Sequence, residues 1–386
     1  MKLSDLTFRI IAVAEKAAAI ARAIRSEHAL FELLVEKKTG SAKNNRFVDD
    51  FKTLADVLIQ EMVRHDLSSR FPGLKDHIYG EENNSFANKL GESVALEIKS
   101  TEEETCSLLS KVLNGNQDAA ALLAQLVHQD VTIAMDSDLA TVEAEVSVED
   151  IGIWIDPIDG TAQYVNGTEG VSAGDGLYQS GLPCVSILIG AFHKTSGHPI
   201  MGVINQPFAR RTTDQWEERC LWGISYDGTN KHNVVPPPLT RAEPPIQSLV
   251  LSGSEDNDIQ SRLGNDFSLT HACGAGYKML CVIDGVANGY VLTKGSTFKW
   301  DSCAPHAILR AVGGGVVNLN EVLGAMKQLA GDKTDVKIAY TIEECQVRYH
   351  VPDSKGLNPG QRWSNTGGIV AYQQVALLKR LLGMLG

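Results

Sequence analysis

The residues with the clearest capacity for chemistry are Asp156-Pro-Ile-Asp-Gly-Thr161, which follow directly on the apolar run Ile151-Gly-Ile-Trp-Ile155. Two carboxylates three positions apart at a strand end, with a proline that fixes φ and removes one N–H, can converge on one side of a turn and expose backbone carbonyls. Such a turn supplies oxygen ligands only, which suits hard cations, Mg²⁺ above all when a phosphate completes the coordination sphere. Gly160 and Thr161 then offer N–H groups at a helix start to an anion held by that metal. The competing explanation is an acidic surface turn, which Asp, Pro and Gly favour for backbone reasons alone.

Further acids weigh against that explanation. Gly80-Glu-Glu-Asn83 sets Glu81 and Glu82 side by side, Trp300-Asp301 puts an acid at the expected N-cap of a helix, and Asp56 falls in the first turn of a helix beginning near Thr53. Taken singly, each has a plain alternative: a solvated face, a cap, a favourable dipole contact. If all six acids converge, a pair ~4 Å apart repels by about 4 kcal/mol at an effective dielectric of ~20. Two or three divalent ions would offset that repulsion.

The elements that must carry these residues show in the periodicity. Leu6, Ile10, Val13, Ala17, Ile20 and Ile24 recur at helical steps, so residues 5–37 read as one long amphipathic helix with a break near Arg25-Ser26. Leu54, Val57, Leu58 and Met62 mark the second helix, and Thr101-Glu-Glu-Glu104 caps a third that Asn114-Gly115 stops. Ile151–Ile155, Cys184–Phe192 and Ile200–Ile204 read as strands, the last closed by Asn205-Gln-Pro207. Later strands (249–251, 287–292, 315–319) alternate with helices (277–283, 302–312), an α/β arrangement. The proline-rich stretch 236–247 reads as a connection between lobes 1–235 and 248–386.

Composition narrows the class. A chain of 386 residues with 43% hydrophobic and 21% charged side chains is a folded protein too long for one ordinary core. Its formal net charge of −12 argues against coating nucleic acid or binding an anionic membrane. Seven cysteines without a Cys-x-x-Cys pair read as reduced thiols of a cytoplasmic protein. Neither a signal peptide nor a membrane span is expected.

The order of Lys52-Thr-Leu-Ala-Asp56, Glu81-Glu82, Asp156-Pro-Ile-Asp-Gly-Thr161 and Trp300-Asp301 resembles the lithium-sensitive, magnesium-dependent phosphomonoesterase superfamily of inositol monophosphatases, fructose bisphosphatases and bisphosphate nucleotidases. Within it, Val127-His-Gln-Asp-Val131, Met201-Gly-Val-Ile-Asn-Gln-Pro-Phe208, Gly274-Ala-Gly-Tyr-Lys278 and Phe298-Lys-Trp-Asp-Ser-Cys303 are most similar to the branch acting on inositol polyphosphates. Gly160 and Asp256 depart from that branch, where Ser and Lys are expected.

The resemblance implies a layered α/β/α/β/α sandwich, with an N-terminal α+β lobe and a C-terminal α/β lobe. It implies Glu81, Asp156 and the Ile158 carbonyl around one Mg²⁺, Asp156, Asp159 and Asp301 around a second, and Asp56 with Glu82 around a weaker third. Thr161 and Asp56 would activate water, while Asp159, Gly160, Thr161, Ser254, Gly274, Ala275, Lys278 and Asp301 would contact substrate. The implied reaction is removal of the 1-phosphate from inositol 1,4-bisphosphate and inositol 1,3,4-trisphosphate by a monomer, inhibited by Li⁺ and Ca²⁺. The alternatives are 3′-phosphoadenosine 5′-phosphate as substrate, or a non-catalytic inositol-phosphate binder. Retention of both Asp56 and Thr161 speaks against the binder.

Overall fold

The computed structural model describes residues 1–26, 35–37, 51–87, 93–174, 176–213, 215–235, 247–329, 334–351 and 361–386. The chain opens with helix α1 (Leu3–Ser26), whose apolar stripe is wholly buried. The expected continuation to residue 37 does not occur: residues 27–34 lie outside the described set, and Val35–Lys37 (β1) pairs antiparallel with Phe51–Thr53 (β2). Helix α2 (Leu54–Arg70) follows at once, and both helices lie on one face of a six-stranded sheet.

That sheet runs in the order Thr229–His232 (β12), Trp216–Tyr226 (β11), Pro199–Arg211 (β10), Ser186–His193 (β9), Ile151–Asp159 (β6) and Ile78–Gly80 (β3). All its pairings are antiparallel except β3 with β6. The strand expected to close at Asn205-Gln-Pro207 continues to Arg211, because the proline falls at a register shift between Gln206 and Arg210 where the ladder does not need its N–H. The short pairs Ser85–Ala87 (β4) with Ser93–Ala95 (β5) and Val171–Gly174 (β7) with Leu177–Ser180 (β8) flank the sheet.

A second sheet of five strands has the order Ser268–His271 (β14), Ser248–Leu251 (β13), Gly289–Leu292 (β15), Ile369–Tyr372 (β17) and Gly315–Asn318 (β16). Its first three strands are parallel and β17 is antiparallel to both neighbours. Apart from Gln247, the proline-rich stretch expected to connect the lobes lies outside the described residues. Helices Ala275–Ile283 and Lys299–Ala311 fill the space between the sheets, where Trp154, Leu188, Phe192 and Ile204 meet Met279, Cys303, Ala304 and Ile308. Outer helices, Leu319–Gln328 and Val375–Leu385 among them, cover the far face, which completes an α/β/α/β/α sandwich.

One sequence feature sets the spacing of these layers. Gly190, Gly202 and Gly223 stand in register across β9, β10 and β11. A Cβ on any of them would crowd the backbone of helix Lys299–Ala311 at Cys303, Ala304 or Ile308. The missing side chains let that helix, which carries Asp301, lie directly on the sheet that carries Asp156 and Asp159.

Candidate metal and phosphate site

In a regular strand, residues three apart face opposite sides of the sheet. Asp156 pairs with Leu188 and Asp159 with Ser186, so β6 advances three residues while β9 advances two. This one-residue bulge spans Pro157-Ile158, where proline costs no ladder bond, and it turns both acids to the same side. Asp301 meets them from the first turn of its helix. It is not the N-cap expected from the sequence but the third helical residue, since Phe298 is the cap and its N–H donates to Asp301 Oδ2 at 2.5 Å. Pro305 lies in the second turn of this helix.

One carboxylate oxygen from each of Asp156, Asp159 and Asp301 lies within 4.8 Å of the others; Asp156 and Asp159 are buried and Asp301 is partly so. Burial, followed by the charges of Glu81, Asp159, Asp301 and Asp56, holds the Asp156 carboxyl well above the usual carboxylate range. Asp301 is raised in the same way, by burial first and then by Asp159 and Glu81. Asp159 is raised by burial, with Lys278 and the amides of Ala275 and Tyr277 opposing. Asp156 Oδ1 is buried with no hydrogen-bond partner. A hard cation fits: the donors are all oxygens, three carboxylates stand together, and one buried Asp156 oxygen has no hydrogen-bond partner.

Asp56 approaches from α2. Its Oδ2 accepts hydrogen bonds from Thr53 N and Thr53 Oγ1, each at 2.6 Å, and the Asp56 N–H donates back to Thr53 Oγ1 at 3.3 Å. That capping box leaves Oδ1 toward Thr161, whose Oγ1 lies 3.5 Å away and also 3.0 Å from the Ile158 carbonyl. Glu82 is buried, with its carboxylate 3.5 Å from Lys52 Nζ, and Glu81 sits at the end of β3 with its N–H on the Ile155 carbonyl at 3.2 Å. Gly160 holds φ at 84°, a left-handed conformation that glycine tolerates, which gives a backbone reason for the residue found where Ser was expected.

The expected substrate residues separate into two groups. Asp159 and Asp301 belong to the acidic cluster, and Gly160 and Thr161 follow Asp159 directly at the start of the next helix. Gly274, Ala275 and Lys278 instead support it from behind: the Ala275 N–H donates to Asp159 Oδ1 at 3.1 Å, and the buried Lys278 ammonium donates to the carbonyls of Ala272 and Gly274 at 3.2 and 2.7 Å. Burial pushes the Lys278 pKa down. Ser254 lies on an exposed loop with its hydroxyl 3.1 Å from Ser252 Oγ. The neighbouring Asp256 pairs with Lys294 at 2.9 Å on the surface. Sequence reasoning passed over Ser186, which donates to Asp159 at 3.2 Å, and Gln60, a buried glutamine one turn beyond Asp56 whose helical spacing was the available signal.

Fold and site together define a metal-dependent phosphomonoesterase arrangement, and the inositol monophosphatase family model matches residues 82–347. The chain belongs to that family. It is 44% identical over 404 residues to inositol polyphosphate 1-phosphatase of Mus musculus, covering 100% of this chain and 98% of that protein. The Homo sapiens protein of the same name is 43% identical over 401 residues, at 99% and 97% coverage. A 3'(2'),5'-bisphosphate nucleotidase 1 of Rattus norvegicus is 26% identical over 323 residues, at 82% and 84%. Among solved structures, an IMPase of Thermotoga maritima aligns with TM-score 0.52 at 14% identity, covering 99% of this chain and 96% of that one, which shows the shared fold.

Proposed function

We propose that this chain is a Mg²⁺-dependent phosphatase that removes the 1-phosphate from inositol 1,4-bisphosphate and inositol 1,3,4-trisphosphate. The observation that carries the proposal is the buried Asp156, Asp159 and Asp301 cluster with its orphaned Asp156 oxygen, set beside the Thr161–Asp56 pair. End-to-end similarity to relatives named inositol polyphosphate 1-phosphatase supports the substrate class.

Glu81, Asp156 and the Ile158 carbonyl would hold one ion, Asp156, Asp159 and Asp301 a second, and Asp56 with Glu82 a third. When bound, Mg²⁺ supplies Lewis-acid charge for the phosphoryl oxygens and acidifies water. Asp56, its Oδ2 fixed by Thr53, keeps Oδ1 as the acceptor toward which Thr161 Oγ1 passes a proton from the attacking water. The Gly160 and Thr161 amides orient the phosphate, so the attack runs in line with the leaving inositol oxygen. Li⁺ and Ca²⁺ are the expected inhibitors, since each enters an oxygen site with the wrong charge or size. Among the described residues no helix is long and apolar enough to cross a membrane. All seven cysteines are free thiols, which accords with action in the reducing cytoplasm; the chain acts as a monomer divided into lobes 1–235 and 248–386.

Phosphate release from a panel of inositol 1,4-bisphosphate, inositol 1-phosphate, 3′-phosphoadenosine 5′-phosphate and fructose 1,6-bisphosphate tests the proposal. Preference for the first substrate, with Mg²⁺ required, is the expected result. Preference for the adenosine bisphosphate would move the chain to the nucleotidase reading.

A further inference from the structure

Gln60 is fully buried, one helical turn beyond Asp56 on α2. Both ends of its carboxamide are spent on the backbone of one residue: Nε2 donates to the Glu82 carbonyl at 2.5 Å, and Oε1 accepts from the Glu82 N–H at 2.9 Å. The two bonds fix which end is oxygen and which is nitrogen. Gly80, two residues before Glu82, makes room for this clamp, because a Cβ there would overlap the Gln60 carboxamide. On the other side Lys52 holds Asn83 Oδ1 at 2.7 Å and the Ser85 carbonyl at 2.6 Å, so residues 80–85 are gripped from two directions. Helix α2 thus presents Asp56 directly and Glu82 through Gln60.

We infer that Gln60 is a positioning residue that locks Glu82 to Asp56, so that the two acids meet a cation as one preorganised pair. This rests on the assignment of Asp56 and Glu82 to a third ion. Asp56 and Gln60 stand four helical steps apart, a rise of about 6 Å along the axis. Glu82 lies two residues beyond the end of β3 at Gly80, and its carboxylate also lies 3.5 Å from Lys52 Nζ. Groups that orient metal ligands commonly change metal affinity by ~10- to 100-fold when removed.

The test is calorimetric titration of Mg²⁺ into wild-type protein and into Gln60→Met, Gly80→Ala and Glu82→Gln, with kcat measured across Mg²⁺ concentrations. Gln60→Met is expected to weaken the weakest Mg²⁺ event by ~10-fold or more, with kcat recovering at high Mg²⁺ and KM for substrate unchanged there. Gly80→Ala, which crowds the clamp from the other side, should reproduce that pattern without touching Gln60. Because Mg²⁺ also stabilises the folded state, the titrations are run on variants whose thermal transition in EDTA lies well above the assay temperature, so that a weakened Mg²⁺ event reports positioning and not loss of fold. If Glu82→Gln weakens Mg²⁺ binding but neither Gln60→Met nor Gly80→Ala does, the clamp has no positioning role. If Glu82→Gln itself leaves every Mg²⁺ event unchanged, the third-ion assignment fails, and the inference with it.

Discussion

Two buried acids in this molecule, Asp66 and Asp156, have opposite fates. Burial pushes the Asp66 carboxyl up, but hydrogen bonds from His65 and Lys16 and the charges of Lys16 and Arg9 outweigh it, and the group ends below its usual range. Lys16 Nζ lies 2.7 Å from Asp66 Oδ2 and 2.9 Å from the Val127 carbonyl. Asp156 is buried more deeply with no such cation, faces four other carboxylates, and is held well above its usual range. The first acid ties α1 to α2 within the fold, whereas the second is left for something the chain does not contain. A charge that is buried and paired stabilises structure, and a charge buried without its partner marks a place for a ligand.

Asp156→Asn should give the largest effect on activity, exceeding Glu82→Gln, because two of the three proposed ion sites share Asp156. The same substitution should raise the stability of the metal-free protein by relieving repulsion. Denaturant midpoints in EDTA and turnover with Mg²⁺ measure the two sides, and a variant both inactive and destabilised would place Asp156 with Asp66 as a structural acid. Asp56→Asn and Thr161→Ala should each lower kcat by ~10²- to 10⁴-fold, with Mg²⁺-free stability little changed. Wild-type kcat in either would remove the pair from the proton path.

Asp66→Asn should do the reverse. Breaking a buried pair costs about 3–5 kcal/mol of stability, while kcat per folded molecule stays near wild type. Loss of kcat with stability retained would erase the distinction between the two acids.

pH sharpens the contrast. Asp156, Asp159 and Asp301 are raised in the folded state, so the folded protein binds more protons than the unfolded one. Their contribution to metal-free stability is therefore intact below the ordinary carboxylate range and lost as pH rises through the raised values. Asp66 is lowered, so its contribution is present above the ordinary range and lost as pH falls through the lowered value. Stability of the EDTA-treated protein should rise on mild acidification from neutrality, and Mg²⁺ at ~100 times its Kd should add about 2.7 kcal/mol near pH 7. The smallest effect belongs to Asp256→Lys. Its exposed pair with Lys294 contributes under about 1 kcal/mol, so stability should hardly move, and any fall in KM for inositol 1,4-bisphosphate would report a phosphate within reach of that loop.

Much of the chemistry was local enough to show in the sequence. The acid spacing in Asp156-Pro-Ile-Asp-Gly-Thr161, the capped start of α2 and the alternation of strands and helices after Leu249 are written in neighbouring residues, where turn geometry, capping and periodicity act over a few positions. Other features depend on residues far apart in the chain. The bulge that turns Asp156 and Asp159 to one side exists only because β9 pairs with β6, and Asp301 reaches them only because three glycines on three strands let its helix approach. The same distance explains Lys278, expected to contact substrate and found buried with its ammonium on the carbonyls of Ala272 and Gly274, and Gln60, whose partner lies 22 residues away. Residue types and spacings determined what this protein could hold and what chemistry it could attempt. Which acids remain unpaired, and which cations are already spent, was decided by tertiary packing, because burial and pairing are properties of surroundings that no local stretch of sequence contains.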